Sequence, residues 1–190
     1  MMPANKKYRL LEDDTIVRDG RTLYRICALR KIRGRVRTGV LGGYVESEAN
    51  LSHEGSCWLY DDACAYEDAR VEGGALLYEH ATIRGKATLI EEAALWSHAI
   101  VQGEAIVGGN SRVHDQVVVG GKATMKGWVC LLHHVHVGGK AYLEGVHPKR
   151  GLIIKGKTMI LGTTVIEGYG SFAEKEAILE AGSFRIEEDA

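Results

Sequence analysis

Residues 80–109 read HATIRG KATLIE EAALWS HAIVQG EAIVGG, which is five consecutive six-residue repeats. The same frame runs without a slip from Ser56 to Gly145 and gives fifteen hexads. The second position of a hexad is nearly always small, as at Ala99, and the fourth is aliphatic, as at Val101. Because alternate residues of a strand face opposite sides, these two positions point the same way. The pattern predicts short strands whose second and fourth positions form one continuous interior.

A longer period of eighteen residues lies over the first. Two series of sixth positions carry glycine, and they are Gly85, Gly103, Gly121 and Gly139 in one series and Gly73, Gly109, Gly127 and Gly145 in the other. The third series has none and reads Asp61, Glu79, Ser97, Asp115 and His133. Three hexads per coil explain this spacing, because glycine tolerates the positive φ that a tight corner needs. The expected fold is an all-β parallel β-helix with a triangular coil.

The repeat also sets the expected bounds of the solenoid. Five residues, 146–150, interrupt the frame as a short loop, and six further hexads end at Ile186. Twenty-one hexads make about seven coils, and strands about 4.8 Å apart predict a prism roughly 35 Å long. The expected organisation is an N-terminal basic β cap over 1–43, the β-helix over 44–186 and an acidic tail over 187–190.

Residues 1–43 differ from the repeats in pattern and charge. Apolar, β-favouring stretches flank Asp19-Gly20, a favoured two-residue hairpin turn. A hairpin over the first coil would protect an exposed sheet edge. This segment holds eleven Lys/Arg against four Asp/Glu, whereas the remainder holds thirteen against twenty-one. The chain is therefore electrically polarised along its length.

Composition narrows the class of protein. No apolar run approaches the roughly 18 residues of a membrane helix, and the first residues lack a secretory apolar segment, so a cytoplasmic protein is expected. Four cysteines without a CxxC pair favour buried thiols over disulfides or a zinc site.

The hexads resemble the hexapeptide-repeat family, and the resemblance implies a single-stranded left-handed β-helix. The stretches YRICALRKI and GGYVESEANLSHEGSCWLYDDA further resemble the start of YdcK-like transferases and related phage-encoded proteins. Relatives in the hexapeptide-repeat family commonly form trimers, bind acyl-CoA between subunits and use a histidine base. This resemblance implies acyl transfer as one function to weigh.

One segment departs from the YdcK-like pattern, because it carries cations where relatives carry acidic residues. Lys31, Arg33, Arg35 and Arg37 alternate with Ile32, Gly34 and Val36. On a strand the four cations would share one face. That face would either keep a solvated edge from pairing or bind nucleic acid or an acidic protein surface.

One edge of the predicted prism collects aromatic and titratable side chains. His80, His98 and His134 occupy one column, and Tyr60, Tyr78, Trp96 and His114 occupy another. An imidazole there could act as a general base, with His98 and His134 the candidates. The same columns could instead be stacked ladders that stabilise the coils. A metal held by His114, Asp115 and His133 is the weaker alternative, since no ligand spacing demands it.

Two main functions therefore stand from the sequence. The preferred one is a non-catalytic binding protein without a cofactor, phage-encoded and directed at a host macromolecule, that uses the basic strand and the His/aromatic edge. The alternative is an acyltransferase that takes acetyl-CoA or another acyl-CoA. Outward-facing Ile100, Ile106 and Val118 also predict self-association into a homo-oligomer.

Overall fold

The computed structural model describes residues 6–32, 34, 36–147 and 149–187, and for residues 174 and 175 it describes the backbone alone. The first strands are β1 Tyr8–Arg18, β2 Arg21–Ala28, β3 Leu41–Val45, β4 Trp58–Leu59, β5 Cys64–Ala65, β6 Arg70–Val71, β7 Leu76–Leu77, β8 Thr82–Ile83, β9 Thr88–Leu89 and β10 Ala94–Leu95, with a 3-10 turn at Glu48–Asn50. The others are β11 Ile100–Val101, β12 Ile106–Val107, β13 Arg112–Val113, β14 Val118–Val119, β15 Thr124–Gly127, β16 Val129–Leu131, β17 His136–Val137, β18 Tyr142–Gly145, β19 Leu152–Ile160, β20 Val165–Leu179 and β21 Ser183–Glu187.

From β3 onward the strands form a parallel β-solenoid of roughly eight turns. Most short strands pair in parallel with the strand eighteen residues along the chain, as Ile100 does with Val118. Three flat walls result: wall one contains β5, β8, β11, β14 and β17; wall two contains β6, β9, β12, β15 and β18; wall three contains β4, β7, β10, β13 and β16. The predicted all-β parallel β-helix is confirmed.

The interior is the one that the hexads predict. Ala99 and Val101 are completely buried, and the second and fourth positions of hexads 56–145 join one continuous core. Each inward methyl or isopropyl group therefore stacks on its counterparts one coil above and below. Neighbour contacts of this kind supply most of the stability of a solenoid.

The hexads predict seven coils, one fewer than the structure has, because the six-residue repeat cannot be recognised in the first coil. Tyr44 pairs with Cys64 and Leu51 bridges to Val71, each across twenty residues rather than eighteen. Two extra residues in this coil put it out of the hexad frame that begins at Ser56. The small-then-aliphatic pattern is nevertheless present at Gly43 and Val45.

The frame also breaks a second time, which the sequence reading missed. Gly156 pairs with Glu174, but Thr158 pairs with Ala177, so β20 gains one residue against β19. As a result Ile178, which the hexads place inside, is 61% exposed. Leu179 packs against the core instead. A one-residue slip exchanges the inner and outer faces of a strand.

The N-terminal hairpin forms as predicted, with Asp19 and Gly20 in its turn at positive φ. The sequence did not indicate how this hairpin packs against the solenoid. Strand β2 pairs with β3, and the hairpin also packs on the outside of wall one, where Leu23 and Ile16 cover Tyr66 and its neighbours Tyr44 and Cys64. Asp19 in the turn accepts hydrogen bonds from Tyr66 and Arg84. The hairpin is thus fastened to the side of the prism.

The cap also satisfies carbonyl groups that the first coil leaves without a partner. In the solenoid the N–H of Leu76 donates to Ala93 O in the next coil, and the N–H of Trp58 donates likewise to Ala75 O. Carbonyls at the N-terminal end have no coil before them. Side chains of the cap supply the missing donors. Lys7 Nζ donates to Cys57 O at 2.9 Å, and Tyr8 Oη donates to Leu51 O at 2.7 Å. Buried carbonyls are thereby paired.

All three corners have left-handed backbone, including the one that lacks glycine. Asp61, Glu79, Ser97, Asp115 and His133 have φ between 54° and 68°. The two aspartates offset this strain with a hydrogen bond to the next coil. Asp61 accepts from the N–H of Glu79 at 3.1 Å, and Asp115 accepts from the N–H of His133 at 2.7 Å. Short acidic side chains are among the residues that tolerate this conformation.

Candidate functional site

The edge between walls three and one carries a line of polar side chains, here called the edge groove. It consists of the position-one residues that follow the corner without glycine, namely Asp62, His80, His98, Gln116 and His134, and it continues at Lys157, which follows Gly156 in the next coil. His80 and His98 stack with ring centroids 5.2 Å apart and planes 9° apart. The column that the sequence predicted is thus formed in space, because residues eighteen apart lie on successive coils.

The upper part of the edge groove, which lies toward the N-terminal end of the solenoid, is a cleft between the hairpin and wall one. Arg18, the last residue of β1, lines it together with His80 and His98 of the edge groove. Cys64, Thr82 and Ile100 form its floor, and Asp62 lies at its upper end; its volume is about 380 Å³. Burial raises the pKa of the Cys64 thiol, and the nearby Arg18 guanidinium partly opposes that rise. The thiol is therefore a poor nucleophile here.

The carboxylate at the upper end of the cleft is already engaged. Arg25 Nη2 lies 3.4 Å from Asp62 Oδ1, and Arg25 Nε lies 3.0 Å from Asp14. The same guanidinium lies over the Tyr44 ring at 4.1 Å. With Asp62 paired in this way, Arg18 remains as the cation that faces the open cleft. The cleft is suited to a ligand with an anionic group.

The lower part of the edge groove is a second, more open depression. Asp115, Gln116, His133, His134 and Lys157 line it, and its volume is about 510 Å³. Lys157 supplies a second cation at this end. Asp115 already accepts the backbone N–H of His133. In the described residues no hydrogen bond reaches an imidazole nitrogen of His134.

The aromatic column beside the edge groove is a continuous stack. Tyr60, Tyr78, Trp96 and His114 follow one another at 4.7, 5.2 and 4.4 Å, with planes within 7° of parallel. Each ring covers the face of the next, so internal rings offer only their edges to a ligand. Burial lowers the pKa of His114, which keeps this imidazole neutral within the stack. The geometry favours a structural ladder over a platform for bases or sugars.

Within the described chain, the candidate catalytic histidines lack the hydrogen-bond partners that usually orient a general base. A general base is usually oriented by a carboxylate or carbonyl on its second nitrogen. Among the described residues, His98 contacts another imidazole and neither it nor His134 has such a hydrogen bond. The described part of the chain also holds no group of three or more His, Cys, Asp or Glu side chains placed to bind a metal.

Comparison with known proteins gives no relative from which a role could be transferred. No family model matches this chain, and no curated protein matches it. The site must be interpreted from its own geometry.

The basic segment is not one continuous strand. Ile32 and Val36 form an antiparallel bridge around Gly34, which has φ of 69°, and both apolar side chains are buried in the main core. Lys31 and Arg37 are exposed at the two ends of this turn. Arg33 and Arg35 lie outside the described residues. Binding through this segment stays a prediction.

The apolar residues expected to mediate self-association lie on two different walls. Ile100 and Val118 are half-buried neighbours on wall one, and Ile106 is 42% exposed on wall two. Self-association through them stays a prediction.

No helix in the described ranges has the length and apolar character needed to span a membrane.

The sequence reading missed three residues of the upper cleft: Arg18, Cys64 and Thr82. Thr82 and Cys64 belong to the outward third position on the same wall as Ile100, so the eighteen-residue period could have placed them. Arg18 could not be found in this way. Its position depends on how the hairpin packs against wall one, and no repeat encodes that contact.

Proposed function

We propose that this protein is a non-catalytic binding protein and that the upper cleft of the edge groove receives an acidic segment of a protein partner. The observation that carries the proposal is that Arg18 and the stacked His80 and His98 line the same cleft. A cation and two imidazoles around an apolar and hydroxyl floor suit recognition of a carboxylate. The absence of an orienting partner for either imidazole, within the described chain, disfavours acid–base catalysis.

A protein ligand fits the surrounding charge better than a nucleic acid does. Carboxylates line the corner beside the edge groove at Asp61, Glu79 and Asp115. They would repel the regularly spaced phosphates of a nucleic acid strand. A peptide needs only one or two acidic side chains near Arg18 and can present neutral groups to this corner. Ile100 and Thr82 provide contact area for those groups.

The expected result is site-specific photocrosslinking from the floor of the cleft. A benzophenone amino acid in place of Thr82 should capture a discrete protein from a lysate of the native cells, identified by mass spectrometry. The same group in place of Thr88 is the matched control, since Thr88 is the equivalent half-buried threonine on wall two. It should capture far less of that protein.

A charge reversal then tests the role of Arg18. Arg18→Glu should reduce capture from the Thr82 position at least about tenfold, because a charge-assisted hydrogen bond contributes about 1.5–3 kcal/mol. Arg9→Glu changes an exposed cation on the same strand, away from the cleft, and should leave capture unchanged. Equal capture from both positions, nuclease-sensitive capture, or acetyl transfer from acetyl-CoA that His98→Ala or His134→Ala abolishes would contradict the proposal.

The resemblance of the N-terminal stretches to YdcK-like proteins supports a finer proposal, that the chain is a phage-encoded member of that group which binds a host protein. Its test is genomic neighbourhood. Genes that counter host defence should flank it, whereas a polysaccharide operon would argue for the acyltransferase alternative.

A further inference from the structure

Two chemically complementary side chains meet at the junction of the cap and the solenoid. Lys7 Nζ lies 3.1 Å from Cys57 Sγ, although the residues are fifty positions apart. Both side chains are completely buried. The pair lies outside the edge groove and takes no part in the binding proposed for it.

Surrounding carbonyls hold both atoms in place. Lys7 Nζ also donates to Cys57 O at 2.9 Å and to Glu54 O at 3.3 Å. Cys57 Sγ contacts Val71 O at 3.4 Å in the next coil. A nitrogen and a sulfur fixed at contact distance have a high effective concentration toward each other.

Burial also moves both groups toward their uncharged forms. It lowers the pKa of Lys7 and raises the pKa of Cys57, with the attraction between the two groups opposing each shift. A neutral amine has the free electron pair that bond formation requires. A surface lysine at neutral pH is almost entirely protonated.

We propose that Lys7 and Cys57 form a covalent N–O–S bridge when the protein is exposed to dioxygen. The amine and the thiol lose one N–H and one S–H bond, and one oxygen atom enters between nitrogen and sulfur. The second oxygen atom leaves as water with the two hydrogens. Nitrogen and sulfur each give up two electrons, and dioxygen takes up all four.

The present separation suits this product. A bridging oxygen spans nitrogen and sulfur with little movement, whereas a direct S–N bond would need a much closer approach. The bridge would link the start of β1 to the first full hexad and so lock the cap onto the solenoid. Cys130 is an internal control, because its neighbour on the adjacent strand is Arg112 and, among the described residues, no lysine amine contacts its thiol.

The test uses the full-length protein, with one portion kept anaerobic and another held in oxygen-saturated buffer. The intact mass of the second portion should increase by one oxygen and decrease by two hydrogens. Proteolysis and tandem mass spectrometry should then recover a peptide pair joined through Lys7 and Cys57, and a thiol reductant should separate it. The Cys130 peptide should carry no link.

Three results would overturn the bridge. They are a Cys57 thiol that stays free after exposure, oxidation of Cys57 to sulfenic or sulfinic acid without a link, and a direct S–N link that lacks the oxygen. Lys7→Arg keeps a cation but removes the primary amine and should abolish the link. If this variant does not fold, the peptide map of the unaltered protein still decides the question.

Discussion

Gly109→Ala should lower the free energy of unfolding by about 3–5 kcal/mol, measured by urea denaturation. Gly109 occupies a corner with φ of 67°, where a side chain costs about 1–2 kcal/mol. A Cβ atom would also lie 2.4 Å from both N and O of Gly127 in the next coil. Those are backbone atoms held by the ladder, so they cannot move without separating the coils.

The matched control is Gly20→Ala in the hairpin turn. Gly20 has φ of 75°, yet a Cβ there would have no atom within 4 Å. This variant should cost only about 1 kcal/mol, the conformational part alone. Equal losses for the two variants would show that the corners are not packed against each other as the structure has them.

Lys7→Met should be nearly as damaging, with a loss of about 3 kcal/mol in the free energy of unfolding. Methionine replaces the aliphatic stem of the side chain but lacks the amine that donates to Cys57 O and Glu54 O. The Cys57 carbonyl would remain buried without a donor, because no coil precedes it. Urea denaturation of the unoxidised protein gives the comparison.

Lys6→Met is the control for loss of a cation from the same segment. Lys6 forms a partly exposed ion pair with Glu48, and exposed pairs contribute about 0–1 kcal/mol. If Lys7→Met were as mild as Lys6→Met, the cap would not depend on the hydrogen bonds that the buried Lys7 amine donates.

The repeats could be predicted from the sequence because their signal is local and periodic. Small and aliphatic residues two apart, as at Ala99 and Val101, fix the face of each strand, and the eighteen-residue period fixes the coil. The edge groove follows from the same eighteen-residue period, since His80 and His98 are one coil apart. These features need no knowledge of long-range packing.

The errors arose where the period is broken. At the first coil, two inserted residues hide the pattern that Gly43 and Val45 still carry. Near the C-terminal end, Ala177 and Leu179 carry the small-then-aliphatic pattern one residue later than the frame expects. In that coil the sequence contained the correct register, and an uninterrupted frame was the wrong assumption.

The packing of the hairpin lies beyond what such patterns predict. Leu23 in β2 reads like any apolar strand residue, but it is buried against Tyr44, Cys64 and Tyr66 on the outside of wall one. Which apolar face meets which depends on shape and on single contacts such as Asp19 with Arg84. Arg18 enters the cleft only through this packing, and therefore the proposed site could not be completed from the sequence.

The central claim is that residues eighteen apart stack on successive coils and so build the edge groove. Pulsed and continuous-wave electron paramagnetic resonance on nitroxide pairs tests it directly. The labels are placed on the outward positions Arg70 and Thr124 of wall two and on Ser183 of β21, which continues this wall through β20. At about 4.8 Å per coil, Arg70 and Ser183 should be about 29 Å apart, with a narrow distribution.

Thr124 divides that span into two parts of three coils each, because the loop at 146–150 adds residues without adding a coil. Both parts should therefore measure about 14 Å, although their chain separations differ. A broad distribution, or a longer distance for the part that contains the loop, would contradict the stacked coils and the edge groove built on them.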